Sequence, residues 1–133
     1  MSKAIEGRAE ELLKGKNFCN VATLRTDGSV QVAPVWVDIQ DGLAVVNSAE
    51  GRAWPRNLER DPRVTLSIQN AENPYEYVEI RGRVAERTHE GADEHINSLA
   101  KKYLGVDEYP YRQPGEQRVI IRVEPDHVYL NTA

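Results

Sequence analysis

Residues 17–47 read NFCNVATLRTDGSVQVAPVWVDIQDGLAVVN, and this stretch decides the fold. It holds three apolar, β-rich runs separated by two short turn signals. The first run, 17–25, ends at Thr26-Asp27-Gly28, a dipeptide-plus-glycine pattern that suits a tight hairpin. The second, 29–39, ends at a further hairpin signal, Asp41-Gly42. The third, 43–47, is apolar on both faces, so it is expected to be buried on both sides. Local turns of this kind join antiparallel neighbours, so the stretch sets up a three-stranded meander.

Outward from the meander, the period changes on both sides. Upstream, Ile5, Ala9, Leu12 and Leu13 recur on helical spacing, with Lys14-Gly15 as a stop, which predicts a helix over 3–14. Downstream, 48–62 turns polar, and Pro55 fits the first turn of a short helix that Pro62 ends. Alternation returns at 63–69, with Val64, Leu66 and Ile68 on one face. After a loop around Asn73-Pro74, the longest strand is predicted over 75–87, with Val78, Ile80, Gly82 and Val84 facing one way. Thr88 is the expected cap of a helix to Leu104, with Ala92, Ile96, Leu99 and Tyr103 on one side, Lys101 and Lys102 in the last turn and Gly105 as the stop. A polar loop, 106–115, leads to two expected strands, 116–123 and 127–131, joined at Pro125-Asp126. The expectation is a single mainly β domain over 1–133: an antiparallel barrel, closed or nearly so, with flanking helices.

Bulk properties narrow the function classes. A net charge of -4 argues against broad binding to a nucleic-acid backbone, which needs a basic face. The longest fully apolar run is the four residues 43–46, too short for a spanning helix, so no membrane insertion is expected. The charged N-terminus has no signal-like apolar region and Cys19 is the only cysteine, which together lead to a cytoplasmic expectation. No GxGxxG, Walker A loop, CxxC, HExxH or GxSxG is present, and His89, His95 and His127 lack metal-ligand spacing, so no metal site is expected. That absence suits a protein whose chemistry resides in a bound cofactor, since such chains mainly position it. No catalytic side chain is singled out.

Two places could hold such a group. At 47–57 a buried strand gives way to small polar residues, a glycine, Arg52 and Arg56, and a helix start; free N–H groups and fixed charge together could seat a phosphate. The same arginines, with Arg60, equally describe a solvated helix face paired with Glu59 and Asp61, the commoner meaning of such a charge run. At Ala33-Pro34-Val35-Trp36, a proline that cannot donate to a ladder marks an edge or irregularity against which a planar ligand could lie. An edge proline beside a core tryptophan is the plainer alternative. Tyr109-Pro110-Tyr111 could cover such a site or simply pack on the surface.

Taken in order, residues 20–28, Pro34-Val35-Trp36, Gly51-Arg52-Ala53, Arg56-Asn57-Leu58, and 60–64, followed by Tyr103-Leu104-Gly105, Tyr109-Pro110 and Arg118-Val119-Ile120, resemble the deazaflavin (F420)-dependent branch of the pyridoxamine 5'-phosphate oxidase-like split barrels. The resemblance spans nearly the whole chain. It implies a six- or seven-stranded split barrel, a homodimer with cofactor sites at the interface, and reduction by reduced coenzyme F420 of a conjugated small molecule that is quinone-, coumarin- or tetrapyrrole-like. An FMN-dependent oxidoreductase of the same fold and a carrier that binds the cofactor without turnover are the alternatives. The residues it implies for the cofactor are Ala33, Pro34, Val35 and Trp36 along the ring, and Asn47, Ser48, Ala49, Arg52, Trp54, Arg56 and Asn57 around the ribityl and phosphate part. The chain departs from the pattern at Trp54, where relatives commonly carry a phosphate-binding lysine; a hydrophobic plug is the alternative role there.

Overall fold

The computed structural model describes residues 4–132. Among the described residues, seven strands and three helices follow one another as α1 (Arg8–Lys14), β1 (Cys19–Leu24), β2 (Val30–Val35), β3 (Val37–Gln40), β4 (Leu43–Ala49), α2 (Ala53–Arg60), β5 (Arg63–Asn70), β6 (Asn73–Thr88), α3 (Ala92–Leu104) and β7 (Arg118–Thr132). All pairings are antiparallel, in the sheet order β2-β1-β5-β6-β7-β4-β3.

That order forces the sheet to curl. β2 and β3 lie at opposite edges, yet only Trp36 separates them in the chain. Six inter-strand spacings of about 4.8 Å would hold the edges about 29 Å apart in a flat sheet, and one residue spans roughly 3.5 Å. The fold is therefore a split barrel, mainly β, with its seam at Trp36. The single strand expected over 29–39 is accordingly two: β2 pairs with β1 and β3 with β4. The apolar run passes unbroken through the joint, so the alternation pattern alone carried no sign of it.

The two strands expected over 116–131 are instead one. β7 pairs along β6 through the proline, with Arg81 opposite His127 and Gly82 opposite Pro125, so Asp126 is extra. A bulge tolerates a residue without an N–H, and Arg83 ties it by donating to Asp126. Two helix starts also differ. Gly91, at φ 75, precedes α3, while Thr88 accepts from the Glu90 N–H in a local turn at 3.1 Å. The first helix begins at Arg8 after Gly7, whose φ of 59 favours glycine. The Lys3 end of that expected helix lies outside the described residues.

The barrel interior packs Val21, Leu66, Ile68, Val78, Ile80, Val46 and Ile121 with Leu12 and Leu13 of α1 and Trp54 and Leu58 of α2. β4 is buried on both faces, as expected: Ala44 and Val46 face this core, and Val45 packs with Ile120 and Ala92 beneath α3. By contrast, the outward residues Val30 and Val32 of edge strand β2 are exposed. No helix among the described residues is long and apolar enough to cross a membrane.

Candidate functional site

A cleft of about 170 Å³ opens at the barrel seam. Its apolar lining combines Pro34, Val35 and Trp36 at the β2–β3 joint with Phe18, with Ile96 and Leu99 of α3, and with Tyr109 and Tyr111 of the loop after α3. Its polar lining is Asn47, Arg52 and Arg118.

The aromatic wall is held by contacts on every side. Trp36 stacks on Tyr103, with ring centroids 5.3 Å apart and planes 8° from parallel. Tyr109 meets Trp36 edge-on at 5.9 Å, and Tyr111 meets Tyr109 at 5.7 Å. Tyr103 is pinned in turn: its hydroxyl donates to the Asn17 carbonyl at 2.5 Å and accepts from the Val37 N–H at 3.2 Å. Burial pushes that phenol up to about 12, so it stays protonated as the donor. Lys102 lies in the last turn of α3, as expected, and its ammonium also reaches the Leu13 and Val37 carbonyls at 2.6 and 2.7 Å, tying α1 and β3 to α3. Burial lowers its pKa to about 8.

The polar end rests on a buried network. Asn47 donates to the Ala92 carbonyl at 3.1 Å and to His95 Nδ1 at 2.9 Å, and its Oδ1 accepts from Arg118 Nε at 2.9 Å. The arginine fixes which end of the amide is oxygen, so His95 Nδ1 is the acceptor and the proton sits on Nε2. Burial lowers the His95 pKa to about 4 and keeps the ring neutral. His95 Nε2 and the Ser48 hydroxyl are buried with no hydrogen-bond partner among the described residues. Arg118 is itself buried; its Nη1 meets Glu116 Oε1 at 2.9 Å, and its guanidinium lies 5.0 Å from the Tyr109 ring centroid. Glu116 Oε2 is 3.8 Å from Arg52, which is half exposed. Cys19 is fully buried, and burial pushes its thiol up to about 12, which leaves it inert.

The residues singled out from the sequence therefore divide. Pro34, Val35, Trp36, Asn47 and Arg52 converge on the cleft. Ala33 packs against the barrel core, and Ala49 is buried. Trp54 is buried within the same core, the plug-like placement. Asn57 is buried and spends its amide on Thr23 Oγ1 at 3.1 Å and Gln31 Oε1 at 2.9 Å, which fastens α2 to β1 and β2. Arg56 is exposed on the first turns of α2 and makes no ion pair with a described residue. The loop into α2 is anchored from β6: Arg87 pairs with Glu50 and donates to the Pro55 carbonyl, and His89 meets the other Glu50 oxygen at 2.7 Å.

A sequence profile of pyridoxamine 5'-phosphate oxidase matches residues 5–132. The chain belongs to the pyridoxamine 5'-phosphate oxidase family. Among solved structures, an F420 reductase superposes with a TM-score of 0.79 at 29% identity, covering 90% of this chain and 94% of that one. A conserved hypothetical protein from Mycobacterium tuberculosis does so with a TM-score of 0.74 at 20% identity, covering 98% and 88%. General stress protein 26 from Bacillus anthracis gives 0.67 at 20%, covering 91% and 88%. The last two share the fold. For this member of the pyridoxamine 5'-phosphate oxidase family, sequence reasoning placed neither Arg118, Glu116 nor His95 in the site. Arg118 did leave a sign, an arginine heading the apolar run Val119-Ile120-Ile121; Glu116 and His95 look like ordinary loop and helix residues until folding encloses their side chains.

Proposed function

We propose that this chain is an F420H2-dependent reductase of the pyridoxamine 5'-phosphate oxidase family that acts on a conjugated small molecule of the quinone, coumarin or tetrapyrrole kind. The observation that carries the reading is the seam cleft, apolar and aromatic along Pro34–Trp36 and cationic at Arg52 and Arg118. The residues fit a flavin-type group: the Pro34–Trp36 side offers a face to a planar ring, and Arg52 and Arg118 offer charge to a phosphate. Bound there, a deazaflavin supplies hydride chemistry. The chain's own part is positional: the Tyr103 and Tyr109 contacts hold Trp36 in one orientation, and Asn47 holds the Arg118 guanidinium. The F420 reductase resemblance supports the deazaflavin.

The cleft of one protomer holds about 170 Å³, small beside the 300–1,000 Å³ common for cofactor pockets. A partner supplying the remaining wall accounts for that, and the reading includes a homodimer with the site at its interface. Spectral titration with coenzyme F420 and with FMN, followed by anaerobic turnover with a quinone panel, tests it. Binding of F420 with quinone-dependent reoxidation of its reduced form is expected. Saturable FMN binding with no response to F420 would replace the deazaflavin by FMN. F420 binding without turnover of any acceptor would leave a carrier.

A further inference from the structure

Glu116 places a carboxylate between the two arginines of the cleft. Its side chain is 4% exposed, yet it is an ionisable group on the loop that borders the cleft. Its two oxygens are divided between the two arginines of the cleft: Oε1 to Arg118 Nη1 at 2.9 Å, and Oε2 toward Arg52 Nη2 at 3.8 Å. Arg118 is fixed further by Asn47 at Nε, which leaves Nη2 without a bond to a described residue. The nearby Glu50 carboxylate is committed elsewhere, to Arg87 and His89. Trp54 contributes no charge and is turned into the core. The polar end of the cleft thus carries two guanidinium charges and one built-in carboxylate.

Resting on the reading of this end as a phosphate seat, we infer that Glu116 is its specificity-determining residue: the carboxylate cancels one of the two arginine charges, so the seat takes a singly charged phosphodiester in preference to a doubly charged phosphate monoester. The longer Oε2–Arg52 contact is the one a diester oxygen displaces, while Arg118 keeps Glu116 in place. A monoester brings a further negative charge against a carboxylate that cannot move away, and like charges at such range repel strongly where water is scarce. Deazaflavin coenzymes carry their phosphate as a diester, and FMN carries a monoester whose second ionisation lies near pH 6. Charge count at one loop residue thereby separates two cofactors whose ring systems fit the same slot.

The test keeps the ring constant and varies the phosphate. FMN, its methyl phosphodiester and riboflavin are titrated at pH 7.5 against wild type, Glu116→Gln, Glu116→Ala and Arg52→Ala, with tryptophan fluorescence as the readout and thermal unfolding to confirm folding. Wild type is expected to bind the methyl diester more tightly than FMN. Both Glu116 variants are expected to tighten FMN about tenfold or more, the scale of one charge-assisted contact, and to leave riboflavin unchanged. Wild type binding FMN more tightly than its methyl ester overturns the inference even if no Glu116 variant folds. Unchanged or weaker FMN binding in a folded Glu116 variant, with Arg52→Ala weakening both phosphorylated ligands, overturns the role of Glu116 and keeps the seat. Arg52→Ala binding all three ligands as wild type does overturns the seat, and the inference with it.

Discussion

His95 shows how one buried side chain sets the local pH response. Burial holds its pKa near 4 against an ordinary 6.5, so the native ring is neutral. Between those values the unfolded chain takes up a proton that the native chain refuses. The stability held by the neutral ring is therefore complete above about pH 6.5 and is lost on acidification toward pH 4, with a slope of at most about 1.4 kcal/mol per pH unit. Urea titrations at pH 7, 6, 5 and 4.5 should show that loss, and His95→Gln should flatten it; equal slopes in both proteins would place the titrating group elsewhere. Trp54 makes the second residue-scale case. Replacing it by lysine removes a buried indole and asks an ammonium to enter the barrel core, a change expected to cost about 3 kcal/mol or more. An unfolding midpoint unchanged in Trp54→Lys would mean that the position opens to solvent and can present a cation to the cleft.

At the scale of elements, the bulge where β6 meets β7 is the least forgiving joint. Gly82 sits opposite Pro125, and a methyl group built on it would collide with the backbone carbonyl of Glu124 rather than with a movable side chain. Gly82→Ala is therefore expected to destabilise by about 3 kcal/mol, at the upper end of overpacking costs because the backbone itself must shift. Chemical denaturation of the variant checks this, and a loss below about 0.5 kcal/mol, the range of neutral surface changes, would show that the bulge relaxes freely. The helices divide their work by position. α1 and α2 bury their apolar faces in the barrel core, while α3 covers β4 from outside. Because α3 lies outside, its Ile96 and Leu99 come to line the cleft.

For the molecule as a whole, no helix among the described residues packs on the outer face of β2, β1, β5 and β6. Register places Val32, Ala22, Thr65 and Arg81 in one row across β2, β1, β5 and β6, and Pro34, Asn20, Ser67 and Glu79 in the next. Val30 and Val32 are 55% and 61% exposed on that face, unusual for valine on a strand of a monomer. A two-fold pairing of this face would bury them and complete the seam cleft with a second wall. Sedimentation equilibrium should give twice 15.0 kDa. Val32→Glu should yield a folded monomer that has lost cofactor affinity. A monomeric wild type would refute the shared site, and a dimeric Val32→Glu that binds normally would move the interface to another face.

The sequence by itself determined the kinds of elements, most of their order and the family. Turn dipeptides and side-chain period are local quantities: Asp41-Gly42 turns the chain wherever the hairpin ends up, and 43–47 is buried on both faces because it has no polar side to show. The edge position of β2 was legible for the same reason, since Pro34 cannot donate to a ladder in any context and therefore marked an edge. Tertiary structure alone decided that Trp36 joins opposite edges of one sheet, that Pro125 lies within a strand, and that Trp54 and Asn57 turn inward while Arg118 turns toward the cleft. Each of these depends on long-range strand pairing and packing, which bring together residues 71 and 48 positions apart, as in Asn47 with Arg118 on the neighbouring strands β4 and β7 and Asn47 with His95 of α3. Nothing within a window of the chain records such a meeting; it exists only once distant strands have paired and α3 has packed over β4.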